Sequence, residues 1–287
     1  MEAKSMLPFG TRTFVMGIIN LTPDSFSGDG LMKSSAMAEA AVQQAIRFTE
    51  QGADILDLGA ESTRPGAETL DASSELERLL PALERIVALK LNTIISIDTY
   101  KASVAEACLQ AGAGMINDIW GLKHDPQLAG VAARHAVPVV LMHNRSHAKF
   151  LQKSETLGGR YVGTTYQDLM NDICSDLQES ITIAKTAAIQ DQNIILDPGI
   201  GFGKTVEQNL SIIHHLGELR RLGYPILLGA SRKSFIGYTL DLPVEDRLEG
   251  TAAVVALGIN NGADIIRVHD VQAMVRVARM CDAILRN

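Results

Sequence analysis

Short apolar runs in this chain repeatedly end in a side chain that can bond, titrate or carry charge. The ends are Asn20, Glu61, Asp98, Asn117 with Asp118, His143, Asp197, Arg232 with Lys233, and Arg267 with His269. Paired carboxylates such as Asp98 and Asp197 suit a donor-rich ligand, because a carboxylate accepts two parallel hydrogen bonds from an amidine-like edge. The Asn117 amide donates and accepts at once, as recognition of a heterocycle demands. Lys233, Arg267 and His269 make an anion-binding set inside a chain of net charge −7. Each group also has a plainer reading. Asp98 and Asp197 can cap the helices that follow them, Asn117 can brace a turn, and Arg232 is better explained by a surface ion pair. Together they favour a polar ligand, since burying each one unpartnered costs about 1–3 kcal/mol.

The stretch DPGIGFGKT, 197–205, resembles a nucleotide-phosphate loop. Counting back from Gly203-Lys204-Thr205 puts Pro198 where the first glycine of such a loop belongs, and proline can neither curl there nor donate an N–H. The glycines are better read as a sharp turn over a binding site, with Asp197 as the working residue and Lys204 peripheral. In ESTRPGAE, 61–68, Pro65 and Gly66 stiffen a loop that carries Thr63 and Arg64, and Arg64 suits an anionic substrate. His143 and His147 follow a strand and lack the HExxH helix, which speaks against zinc. His214 and His215 fall in a helix as surface or packing residues, and Trp120 and Met142 line either the rim or the core.

The elements that must position these groups are eight β-rich runs, at 14–20, 54–62, 93–99, 114–120, 138–144, 193–199, 225–231 and 264–270. Stretches of helical period separate them. One starts at Ser34 or Ser35 and stops at Gly52, and another carries Leu76, Leu79, Leu80, Leu83, Ile86 and Val87, with Ser74 and Glu77 as a capping box. The repeated devices EQGADI, QAGAGMI and NNGADII each stop a helix and start a buried strand. Strict alternation predicts parallel pairing. Eight such units over 287 residues predict a single-domain (β/α)8 TIM barrel with the chemistry at the C-terminal strand ends. The first strand-to-helix turn, LTPDSFSGDG, lacks the GxGxxG of an open dinucleotide fold. Residues 145–165 are expected to form an irregular loop over one rim.

A pI near 5.5 argues against nucleic acid or an anionic membrane as partner. Three widely spaced cysteines, with no CxxC pair, suggest reduced thiols. The N-terminus lacks a signal-peptide pattern and no apolar run is long enough to span a membrane, so a cytoplasmic protein is expected.

Seven ordered motifs, MGIINLTPDSFS, DILDLGAESTRPGA, ISIDTYKASVA, INDIWG, DPGIGFGKT, GASRKSFIG and RVHDV, resemble the dihydropteroate synthase family of pterin-binding enzymes across about residues 12–275. The resemblance implies a homodimeric barrel that joins p-aminobenzoate to 6-hydroxymethyl-7,8-dihydropterin diphosphate with Mg2+, releasing diphosphate in folate biosynthesis. It implies that Asp98, Asn117, Asp197 and Lys233 hold the pterin, and that Asn20 meets Mg2+ and diphosphate. Arg64, Arg267 and His269 would hold the diphosphate. Phe26, Thr63, Pro65 and Ser234 would shape the p-aminobenzoate pocket, which sulfonamides contest. The first loop departs from the usual SFSDGG: here SFSGDG places Asp29 one position later, between glycines that permit adjustment. Dissociative loss of diphosphate is expected, and Arg267→Ala is expected to weaken diphosphate binding while sparing free pterin. A pterin-dependent methyltransferase and a non-catalytic pterin-binding homologue are the rival readings; the first gives no reason for STRPG and SRKS to occur together.

Overall fold

The computed structural model describes residues 7–22, 34–61 and 69–286. Phe26, Asp29, Thr63, Arg64 and Pro65 lie outside the described residues.

Eight parallel strands form the sheet: β1 (Phe14–Asn20), β2 (Ile55–Gly59), β3 (Ile94–Asp98), β4 (Met115–Asp118), β5 (Val139–Met142), β8 (Ile194–Asp197), β9 (Leu227–Leu228) and β10 (Ile265–Val268). Neighbours run in the order β8-β5-β4-β3-β2-β1-β10-β9, and a parallel bridge between Leu196 and Ile226 joins the two ends. The barrel is therefore closed, as the alternating sequence pattern predicts. Every strand but β1 is shorter than the apolar run that announced it.

Side chains two apart on a strand share a face. Phe14, Met16, Ile55, Met115, Val140, Ile195, Leu227 and Ile265 fill the lower interior as one buried cluster, and Leu7 and Phe9 pack against it. The intervening residues, among them Leu56, Ile116, Leu196 and Ile266, point outward into the larger core beneath the helices. Full burial of each such side chain contributes about 1.5–3 kcal/mol. Moving two residues up from the lower layer turns Ile55 into Asp57, Met115 into Asn117, Val140 into Met142, Ile195 into Asp197 and Ile265 into Arg267. The pleat alone thus stacks a polar layer on an apolar plug.

Two local expectations are corrected. The second helix, Ala72–Ala88, is capped by Asp71, whose carboxylate accepts the Ser74 N–H at 2.9 Å, so the cap lies three residues before Ser74. A capping box does occur, but at Thr205 and Gln208, ahead of the helix Val206–His214. The stretch expected to be an irregular loop contains an antiparallel hairpin, β6 (Leu151–Ser154) with β7 (Gly158–Tyr161). It is pinned to the helix Ser234–Leu240 by Tyr238, whose hydroxyl donates to Gly158 O at 3.1 Å.

Candidate active site

Within the polar layer, Arg267 lies between two carboxylates. Its Nε donates to Asp57 Oδ2 at 2.6 Å and its Nη2 to Asp98 Oδ2 at 2.7 Å. Asn117 Nδ2 also donates to Asp57 Oδ2, at 3.0 Å. Asp57 is fully buried, and its Oδ1 has no hydrogen-bond partner among the described residues. Three strands thus meet through one carboxylate that sequence reading missed, and Arg267 extends the link to Asp98 on β3. The period of two from Ile55 carries the signal, but the run reads on to Glu61, past Gly59 where pairing stops. Glu61 does not join this layer. It pairs with Lys101, which also holds the buried Glu75, and it accepts the Tyr100 hydroxyl at 2.9 Å.

Asp197 ends β8 with Oδ1 accepting the Gly199 N–H at 2.7 Å. The following turn needs its glycines: Gly199 has φ +69°, and an added Cβ would lie 1.8 Å from His143 O. Gly203, at φ +66°, would put a Cβ 2.3 Å from the Arg145 backbone. Lys233 directs its ammonium to Ile200 O in that turn and sits 4.6 Å from the centre of the Phe202 ring. Gly229 closes the gap between Asp197 and Arg267, where an added Cβ would be 3.7 Å from Asp197 Oδ2. Asp98 Oδ1 and Asp197 Oδ2 accept no hydrogen bond among the described residues. Tyr100, Ile119 and Met142 form an apolar cluster with Trp120 and Phe202 at the same strand ends, which places Trp120 and Met142 at the rim.

Burial sets the electrostatics of this mouth. It pushes Asp98 up to about 7, with Arg267 opposing and Asp57 adding to the rise. It pushes Asp197 upward against the pull of Lys233 and the Gly199 N–H. It brings Lys233 down to about 8 despite Asp197. For these residues, removal from water outweighs attraction between opposite charges. Displaced values of this kind in a cleft mark a candidate functional site.

The remaining sequence-singled residues sort as follows. His269 is at the β10 end, its N–H and Nδ1 against Ser231 Oγ at 3.2 and 3.1 Å. Asn20 ends β1 opposite Gly59. Ser234 starts its helix, but its hydroxyl donates to Gly159 O in the hairpin, so it is engaged by a cover that the sequence did not announce. Arg232 forms a two-pronged pair with Asp270, at 2.8 and 2.6 Å. Asp118 caps Trp120 and Leu122 through its two oxygens. His143 is buried behind the rim. Lys204, read as peripheral, is corrected: it is 1% exposed, among the largest fully buried side chains of the molecule.

The comparisons with known proteins follow this geometry. The family model described as pterin binding enzyme matches residues 16–269. A dihydropteroate synthase of Bacillus subtilis is 50% identical over 281 residues, covering 98% of this chain and 92% of the relative. The chain belongs to the pterin-binding enzymes, among the dihydropteroate synthases. A solved dihydropteroate synthase of Clostridium difficile, crystallised in the presence of pteroic acid, has a TM-score of 0.88 and 45% identity, covering 98% of this chain and 100% of its own. That of Xanthomonas albilineans with 4-aminobenzoic acid has a TM-score of 0.84 and 39% identity, covering 95% and 93%.

Proposed function

We propose that the chain joins p-aminobenzoate to 6-hydroxymethyl-7,8-dihydropterin diphosphate, forming 7,8-dihydropteroate and diphosphate. The observation that carries this reading is the convergence of Asp98, Asn117, Asp197 and Lys233 on one mouth, with two carboxylate oxygens still able to accept. Asp197 takes the amino-pyrimidine edge of the pterin through paired hydrogen bonds. Asn117 and Asp98 take the opposite side of the ring, and Lys233 donates to its carbonyl. Ile119, Met142 and Phe202 offer apolar surface to its faces.

The methylene C–O bond breaks, the electron pair leaves with diphosphate, and the amine nitrogen of p-aminobenzoate bonds to the carbon and releases a proton to solvent. Positive charge that develops on the pterin is stabilised by Asp98 and Asp197, and negative charge on the leaving group by Arg64, Arg267 and His269. Among the described residues no three His, Cys, Asp or Glu side chains form a metal cage. Mg2+ is commonly held by substrate phosphates, waters and few protein ligands, and the Asn20 amide oxygen would be one such ligand. When bound, it would neutralise charge on the diphosphate.

Among the described residues no helix is long and apolar enough to cross a membrane. A homodimer is supported by exposed large apolar side chains gathered late in the chain: Leu240, Val244, Leu257, Met280, Ile284 and Leu285.

The test is release of diphosphate from the pterin substrate. Release that requires both p-aminobenzoate and Mg2+, with dihydropteroate as product, is expected; no release with both present would overturn the reading. The pH profile adds a second check. Asp98 is a carboxylate above about 7 and Lys233 an ammonium below about 8, so kcat/KM for the pterin substrate should peak between those values. Beyond each limb it should fall by about tenfold per pH unit. A flat profile from pH 6 to 9 would show that neither group needs its charge.

A further inference from the structure

Lys204 and His143 are buried, chemically capable, and unused by the reaction described above. The Lys204 ammonium reaches three acceptors: His143 Nδ1 at 2.8 Å, Gly199 O at 2.9 Å and Phe202 O at 3.0 Å. On the far side of the imidazole, His143 Nε2 lies 3.0 Å from Asp176 Oδ2, and Arg145 Nε reaches the same oxygen at 2.6 Å. A carboxylate there requires the proton on Nε2, which leaves Nδ1 as an acceptor. Three acceptors around one nitrogen match the three donors of an ammonium, whereas a neutral amine would set a lone pair against one of them.

We propose that Lys204 is a positioning residue for the pterin site, fastening from below the turn that Asp197 and Lys233 grip from the cavity side. The turn is held at several points, among them Asn209, whose Oδ1 accepts the Gly201 N–H at 2.7 Å. Asp197 holds the Gly199 N–H, Lys233 holds Ile200 O and the Phe202 ring, and Lys204 holds Gly199 O and Phe202 O. Tyr166 fixes the next residue, its hydroxyl donating to Gly203 O at 3.0 Å. The loop that looks like a phosphate cradle thus turns its lysine inward, and the cation binds the loop instead of a nucleotide. The inference deepens the proposed pterin function and rests on it.

The charged groups facing Lys204 are Asp197, Lys233, Arg145 and Asp176, with His143 between. Burial drives the Lys204 pKa well below its ordinary value, while Asp197 opposes that fall. Burial, then the Lys204 charge, brings His143 down to about 3, so the imidazole stays neutral at working pH. In return Lys204 opposes the rise of the Asp197 pKa, together with Lys233, Gly199 and Arg267.

The test uses the full chain, with 6-hydroxymethylpterin as probe and binding followed from pH 6 to 9. Wild-type binding is the control, and its failure would refute the pterin reading itself rather than this inference. Lys204→Met is expected to weaken pterin binding by about tenfold or more. The acid limb of binding should also move to higher pH, because Asp197 loses a neighbouring cation. KM for p-aminobenzoate should change far less. His143→Asn, which keeps an acceptor near the position of Nδ1, should retain most of the affinity that His143→Leu loses. This pair remains decisive if Lys204→Met does not fold. Wild-type pterin affinity and pH limb in Lys204→Met, or equal affinities for the two His143 variants, would overturn the inference.

Discussion

Asp197→Asn is expected to reduce pterin affinity and kcat/KM by at least about a hundredfold, in line with losing one partner of a buried charged pair. An amide presents one acceptor and one donor where the carboxylate presents two acceptors. Its donor would meet an N–H of the amino-pyrimidine edge, so a hydrogen bond becomes a repulsion. The substitution also removes the negative charge that raises the Lys233 pKa, leaving that ammonium to titrate at lower pH. The Gly199 N–H keeps an acceptor if the asparagine oxygen turns toward it, so the fold should be retained. Thermal unfolding within a few degrees of wild type, together with the loss of pterin binding measured by calorimetry, is the expected pair of results. Retained affinity would remove Asp197 from the site.

Arg267→Ala should be the most damaging substitution in the polar layer. It leaves Asp57 and Asp98 facing each other without their shared cation, and breaking a buried pair in this way costs about 3–5 kcal/mol. Asp98, already raised to about 7, should then hold its proton still more tightly. Pterin affinity and stability should therefore fall together. The sequence-based expectation that free pterin binding would be spared treats Arg267 as a group for the diphosphate alone, whereas its two carboxylate partners predict that both fall. The pairing with Asp57 and Asp98 is visible only once β10, β2 and β3 close around the same axis. Arg267→Lys should not rescue, because one ammonium cannot reproduce a fork that spans two carboxylates. Urea unfolding of Arg267→Ala with and without Asp57→Asn checks the mechanism: the second change should recover part of the lost stability, whereas simple additivity would count against coupling.

These two residues show how far the sequence carries. The barrel was legible because buried parallel strands need apolar runs and crossovers need helices, and both patterns recur along the chain. Asp98, Asn117 and Asp197 were legible because each interrupts an apolar run at its C-terminal end, where a barrel keeps its chemistry. Asp57 was not recovered, although it occupies the same face as Ile55, because it sits inside a run whose later Glu61 looked like the end. Lys204 was read as peripheral because nothing in GFGKT announces its acceptors, which are His143, just past β5, and two carbonyls of its own turn. The hairpin over Ser234 escaped because LQKS and GGRY are neither strongly β-forming nor alternating. Tertiary contacts with Ser234, Tyr238 and Arg247 hold it there.

The central claim is that acceptors at the barrel mouth recognise the donor edge of the pterin ring. Its most direct test compares equilibrium binding of 6-hydroxymethylpterin with that of the corresponding lumazine, in which the 2-amino group is replaced by a carbonyl. The exchange turns a donor toward Asp197 into an acceptor, and a site built on such a bond is expected to reject the analogue by at least about a hundredfold. Equal affinity for the two rings would contradict the account.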